Sequence, residues 1–290
     1  MNASAGSPPF DLARVLCHPA AVPTIAYVFS GLPRTFAAPK VHQSFLRNVV
    51  NAFGARPVFF FYFKTSSIEY GDEYVMNGAP DEMRLSNATR AEIERALEHF
   101  RPRVVLWEEE LDVRDHLREC AKESGKTYWR WLSQWLAQHR ALALMRDYEE
   151  SHGLKFDWVM WLRPDLVWYY GIKPFCGFDR NIFYNPNTFG DSSVPYPDWF
   201  GLVRGDIAVS ALDRLHNIGS ECSIIDNVAA LKGQNLIAAT NLETGANFMP
   251  GYAVRQCNYG NLQEFCSYMN DKRYFANRDS GECDRLLHAC

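Results

Sequence analysis

Residues 58–64, VFFFYFK, carry six apolar side chains in a row before Lys64, and no other feature restricts the fold so tightly. A strand with one wet face alternates apolar and polar residues. A strand with no polar position is buried on both faces, as in the middle of a parallel sheet. Parallel neighbours need long crossovers, usually helical, so the rest of the chain must alternate strands with helices. It does. Residues 24–30 (TIAYVFS), 101–109 (RPRVVLWEE) and 156–162 (FDWVMWL) read as three further strands.

Helices fall between them. Residues 39–53 open on Pro39 and place Val41, Phe45, Leu46, Val49 and Val50 at helical spacing. Ser86 or Asn87 is expected to cap a second helix running to about Phe100, with Ile93, Ala96, Leu97 and Phe100 on one face. A long amphipathic helix over 128–151 offers Trp131, Trp135, Leu142 and Met145 for burial and stops at His152-Gly153. The alternation fills 24–165 and predicts right-handed βαβ units, hence an α/β fold with a mostly parallel central sheet flanked by helices. Residues 1–23 read as a loose Ser/Pro/Ala-rich lead-in, and 24–290 as one domain. Beyond 166 the pattern becomes irregular, with short strands at 181–184 and 200–203 and a helix near 206–216.

Composition narrows the function classes. Thirty Lys and Arg stand against 34 Asp and Glu, a net charge of −4, which argues against general nucleic-acid or anionic-membrane binding. No stretch reaches the roughly 20 apolar residues needed to span a bilayer, and the first residues do not have the pattern of a signal peptide. The eight cysteines include no C-x-x-C pair, so a zinc ribbon is not expected. Four of them lie between 257 and 290, which fits either disulfides in an oxidising lumen or reduced buried thiols in the cytosol. The sequons at Asn2 and Asn87 fit the lumenal choice.

In open α/β sheets ligands sit at the carboxyl ends of the strands. Those ends are Ser30-Gly31-Leu32-Pro33-Arg34-Thr35, Lys64-Thr65-Ser66, Glu108-Glu109-Glu110 and Arg163-Pro164-Asp165. The first is neither a dinucleotide fingerprint nor a P-loop, but it offers a glycine, two hydroxyls and an arginine to a phosphate or a base edge. The last is the most informative. An apolar strand that delivers Arg163 and Asp165 to its open end brings charge where a ligand would meet it. Asp165 could ligate a divalent cation and Arg163 neutralise a diphosphate, or the two could close the strand end as an internal ion pair. The histidines show no metal-site spacing.

The motifs S-G-x-x-R-T-F (Ser30 to Phe36) and, after a long helix, F-D-W-V-x-x-x-R-x-D (Phe156 to Asp165) resemble those of nucleotide-sugar-dependent glycosyltransferases with the GT-A fold. They are most like a loosely characterised group from plants, algae, microbes and large viruses, and the likeness covers roughly 24–205. It implies a nucleotide-binding half at 24–165 and an acceptor half at 166–290. Arg163-x-Asp165 would stand in the place of the D-x-D motif, with Asp165 as ligand of Mn²⁺ or Mg²⁺ or as a donor contact. Ser30, Gly31, Arg34, Lys64, Gln134, Gln138 and Arg163 would line the donor site. Because Arg163 replaces the first carboxylate, either a single-carboxylate metal site or a metal-free, cationic one is compatible with the pattern.

An acceptor carboxylate is then required, since one group must take the proton of the acceptor hydroxyl. Asp198, in P-Y-P-D-W-F-G, and Glu243 are the candidates, with Asp226 a third. The expected function is sugar transfer from a nucleoside diphosphate sugar to a glycan, protein or small-molecule hydroxyl. The alternatives are a non-catalytic glycan- or nucleotide-binding module and a glycoside hydrolase. The compartment implied is the secretory lumen, the Golgi, if the cysteines are disulfide-bonded, and the cytoplasm otherwise.

Overall fold

The computed structural model describes residues 17, 21–33, 35–65, 88–109, 126–168, 171–184, 200–213, 237–239 and 253–255; for 126–132, 237–239 and 253–255 it describes the backbone only. Strand β1 (Thr24–Gly31) leads into helix α1 (Pro39–Phe45), which runs on through a π-helical turn (Leu46–Val50) and a last short turn (Asn51–Phe53). Then come β2 (Arg56–Lys64), α2 (Arg90–Leu97), β3 (Val104–Glu108), α3 (Lys126–His152) and β4 (Trp158–Leu162). The second half supplies β5 (Leu166–Trp168), β6 (Ile182–Tyr184), β7 (Phe200–Arg204), α4 (Ala208–Leu212), β8 (Ile237–Ala239) and β9 (Ala253–Arg255).

Seven of these strands form one sheet in the order β3-β2-β1-β4-β7-β6-β8. β1, β2, β3 and β4 are mutually parallel, and so are β6 and β8. Only β7 runs against its neighbours, β4 and β6. The chain is therefore α/β with a mixed, mostly parallel sheet, as the alternation predicts. β5 and β9 make a separate antiparallel pair that the sequence pattern did not announce.

The two faces of the sheet are packed differently, and period-two side-chain alternation decides which residues go where. Ile25, Tyr27, Phe29, Phe59, Phe61, Phe63, Trp158, Met160 and Leu162 join the side chains of α1 and α2 in one buried cluster. Aromatic rings dominate it, with Phe29 stacked on Phe61 at 4.5 Å and Phe100 edge-on to Phe59 at 5.2 Å. Each such ring contributes about 2–3 kcal/mol through burial. Ala26, Val28, Phe60, Tyr62, Val159 and Trp161 face the other way, onto Ala137, Ala141, Leu142 and Met145 of α3. Alanines on both sides of that contact let the long helix lie close to β1.

The amino end of the sheet is closed by polar groups that satisfy one another. Asp157 accepts from the Thr24 backbone N–H at 2.8 Å, and its own carbonyl accepts from Gly205 N at 3.0 Å. Buried Glu149 holds Phe156 N at 3.0 Å and Lys155 Nζ at 2.7 Å, fixing the turn between α3 and β4. On α1, Ser44 Oγ accepts from Trp168 N and Asn48 donates to Trp168 O, so these two buried helix residues serve the backbone of β5.

One expectation is corrected. The cap of α2 is Thr89, not Ser86 or Asn87: its hydroxyl accepts from Glu92 N while the Glu92 carboxylate accepts from Thr89 N, a complete capping box. Among the described residues one disulfide joins Cys17 to Cys176. Cys257, Cys266, Cys283 and Cys290 lie outside the described residues. No helix among those described is long and apolar enough to cross a membrane.

Candidate functional site

Strand order reverses at β1. The chain moves from β1 to β2 and β3 on one side, with α1 and α2 on one face, then returns by α3 over the opposite face to β4 on the other side. Such a switch point opens a crevice at the carboxyl ends of the two central strands. Here Phe29 is in register with Leu162, so Ser30-Gly31 and Arg163-Pro164-Asp165 leave the sheet side by side. Gly31 has φ of +122°, where a side chain is strained, and a Cβ there would lie 3.8 Å from the Pro164 ring. The two exits are in van der Waals contact.

Alternation also sends one set of polar residues to the α3 face. Ser30 follows Ala26 and Val28, Lys64 follows Phe60 and Tyr62, and Arg163 follows Val159 and Trp161. Above them α3 presents Ser133, Gln134 and Gln138. The result is a polar seam under the N-terminal part of α3, over an apolar layer nearer its C-terminal end.

Most groups in the seam have a partner. Trp161 Nε1 donates to Ser30 Oγ at 2.7 Å. Lys64 Nζ donates to Ser133 Oγ at 2.6 Å. Tyr62 donates to Glu108 at 2.6 Å. Arg163 donates through Nε and Nη2 to the two oxygens of Asp165, at 3.0 and 3.1 Å, and through Nη1 to Gln134 Oε1 at 3.1 Å. Asp165 is fully buried, and the side chain of Arg163 is 14% exposed. Gln138 is buried too, and its Oε1 has no hydrogen-bond partner among the described residues. Such an atom costs about 1–3 kcal/mol unless a water or a ligand donates to it.

The structure thus brings together Ser30, Gly31, Lys64, Gln134, Gln138, Arg163 and Asp165. Arg34, Asp198 and Glu243 lie outside the described residues, as does Asp226. Ser133, Tyr62 and Trp161 belong to the seam although the sequence reading did not single them out. The signal was present: Tyr62 shares its face with Lys64, Trp161 with Arg163, and Ser133 adjoins Gln134. Glu108, at the carboxyl end of β3, is the half-buried acceptor of Tyr62. Lys64 and Arg163 are balanced in charge by Glu108 and Asp165, so the described floor offers many donors but no net charge.

The Asp165 carboxylate is engaged along one edge by the Arg163 guanidinium. Both its oxygens are occupied by Arg163, and no group of three His, Cys, Asp or Glu among the described residues could hold a metal.

Comparison with protein-family models and with curated proteins gives no match for this chain.

Proposed function

We propose that the chain is a glycosyltransferase of the GT-A type that moves a sugar from a nucleoside diphosphate donor to a hydroxyl acceptor. One observation carries the reading: the two motifs that resemble that family, on residues far apart in sequence, leave adjacent parallel strands at the switch point of the sheet. A ligand-binding α/β sheet uses that crevice.

In this reading the donor diphosphate lies over the exits of β1 and β4, near Lys64 and Arg163. The anomeric carbon faces the residues beyond 166. The acceptor oxygen attacks it, the bond to the diphosphate breaks, and its electron pair leaves with the phosphate. The acceptor proton passes to a carboxylate, Asp198 or Glu243. Ser30 and Gly31 shape the pocket, the first by bracing Trp161 and the second by a backbone turn at φ +122° that a side chain would strain. The Cys17–Cys176 disulfide favours an oxidising compartment, so the protein would work in the secretory lumen.

A second reading, a non-catalytic module that binds nucleotides or glycans, draws on the same geometry. The position of the first D-x-D carboxylate is an arginine, and the remaining carboxylate is engaged with it. The test is release of nucleoside diphosphate from a panel of nucleotide sugars, with and without sugar acceptors, alongside thermal melts with the same ligands. Turnover of one donor class supports the transferase. A melt shift without release supports the binding module. If glycans shift the melt while no nucleotide does, the donor-site argument fails.

A further inference from the structure

His139 and Asp213 join α3 to the end of α4, outside the polar seam. Nδ1 of His139 lies 2.7 Å from Asp213 Oδ2, with the carboxylate side chain 5% exposed and the imidazole 37%. A carboxylate only accepts hydrogen bonds, so the ring proton sits on Nδ1 and the Nε2 lone pair is left to accept. Asp213 is fixed from its own side. It follows α4 directly, its backbone N–H donates to Val209 O at 2.8 Å, and Ala208, Ala211 and Leu212 are buried in the layer under α3. A dry, held carboxylate that aligns a partly exposed imidazole keeps the ring in the one tautomer that can take a proton.

The dyad stands between the two halves of the chain. α3 descends from the strand exits, where Ser133 and Gln134 meet Lys64 and Arg163, to the amino end of the sheet, where Glu149 meets Phe156. His139 comes five residues after Gln134, about 7.5 Å along the axis, and helical side chains lean toward the N-terminus, here the seam end. Asp213 and α4 follow β7, in the half that the resemblance gives to the acceptor. Among the described residues Asp213 is the ion-pair partner of the ring. The neighbours of His139 three and four residues away on α3 are Trp135, Leu136, Leu142 and Ala143, and the strands beneath bring Val159, Phe183 and Val203, all uncharged. Arg140 is the nearest charge along the helix and is exposed.

From this we infer that His139 is the general base of the transfer, and that Asp213 is the positioning residue that fixes its ring. The inference rests on the transferase reading and departs from it in one step, since the proton goes to an imidazole in place of a carboxylate. As the acceptor oxygen bonds to the anomeric carbon, the bond from that carbon to the diphosphate breaks and its electron pair leaves on the phosphate. The hydroxyl proton moves to Nε2. The imidazolium so formed is held against the Asp213 carboxylate by a charge-assisted bond, stronger than the neutral one, and passes its proton to water as the product leaves.

The probe reaction is release of nucleoside diphosphate from UDP- and GDP-linked hexoses by the full chain, with methyl glycosides as acceptors, between pH 5 and pH 9. A protonated imidazole accepts no proton, so the wild-type kcat should fall on the acid side, within the range where imidazoles titrate. His139→Ala should lower kcat about 100-fold or more and lose that acid limb, while the donor KM stays within about twofold. Added imidazole should restore part of its rate. Asp213→Asn, which no longer forces the proton onto Nδ1, should lower kcat about tenfold or more at unchanged KM.

Turnover that keeps its rate and its acid limb in His139→Ala would overturn the inference and leave the transferase reading intact. So would a loss of rate that follows a drop in melting temperature and does not respond to imidazole, the mark of a merely structural pair. No release from any donor by the wild type at any pH would overturn both. The buried layer of Ala137, Ala141 and Leu142 does not include His139, so its truncation leaves that layer whole. Should Asp213→Asn not fold, the His139→Ala series decides alone.

Discussion

Asp165→Ala is the sharpest probe of what holds the exit of β4. Asp165 is completely buried and accepts both hydrogen bonds from a guanidinium that is itself only 14% exposed. Truncating it takes the carboxylate away from Arg163, and breaking a buried pair from one side costs about 3–5 kcal/mol. The slight exposure of Arg163 lets it recover some hydration, so the low end, about 3 kcal/mol, is expected. Arg163→Ala strands the carboxylate, which has no exposure to recover, and should cost about 4 kcal/mol. The double variant removes both charges and should lose about 4 kcal/mol, not 7, because the second truncation relieves the penalty left by the first. The coupling is then about 3 kcal/mol, inside the range measured for contacting residues. Urea unfolding followed by fluorescence reads this directly: with a slope of about 3 kcal/mol per molar, each single variant moves the midpoint down by roughly 1 M. Single losses below about 1 kcal/mol, or losses that simply add, would refute the reasoning. The two charges would then not be seated on each other.

Gly205→Ala should destabilise the amino end of the sheet by about 2–4 kcal/mol, because a Cβ there would stand 1.8 Å from the Phe156 carbonyl oxygen and backbone cannot swing aside; a thermal melt unchanged within a degree would contradict this. Reduction of the Cys17–Cys176 bond, which closes a separation of 159 residues, should lower stability by about 3–5 kcal/mol, with Cys17→Ser reproducing the loss; a melt indifferent to reductant would show that the bond does not form in solution. Burial, together with the stacked His99, holds His42 below the ordinary imidazole range against the opposing hydrogen bonds to the Phe36 and Ala38 carbonyls. The unfolded chain therefore binds this proton more readily than the folded one, so the contribution of His42 is complete above about pH 6.5 and is lost as pH falls from there through its folded pKa. The melting temperature should drop more steeply between pH 7 and pH 5 in the wild type than in His42→Gln, and parallel curves would exclude His42 as the source.

How much of this was legible in the sequence depends on the range of the interaction concerned. The run 58–64 demanded burial on both faces, and the structure places Phe59, Phe61 and Phe63 against α1 and α2 and Phe60 and Tyr62 against α3. Local periodicity was enough for that, and for α1, α2, α3 and the first four strands. The capping box was also written locally, as Thr89-x-x-Glu92, but Ser86 and Asn87 just upstream offered the same chemistry; only the reciprocal bonds single out Thr89. The reversed direction of β7, the β5–β9 pair and the Cys17–Cys176 bond each join segments far apart in the chain. No pattern inside a segment records which distant segment it will meet.

The site shows the same divide. That Arg163 and Asp165 arrive at an open strand end could be read from the order of residues, but whether they face a ligand or each other could not. A carboxylate two residues beyond an arginine, past a proline, reaches either outcome. What decides is the surroundings: Asp165 is fully buried, and α3 supplies in Gln134 a neutral acceptor for the guanidinium. Once Asp165 is dry, an unpaired carboxylate there would be more costly than the pair, so Arg163 turns back onto it. Gln134 of α3 and the buried Asp165 thus together fix the guanidinium of Arg163. A chain with a carboxylate at 163 would place two like charges under the same helix and would need a metal ion to hold them there.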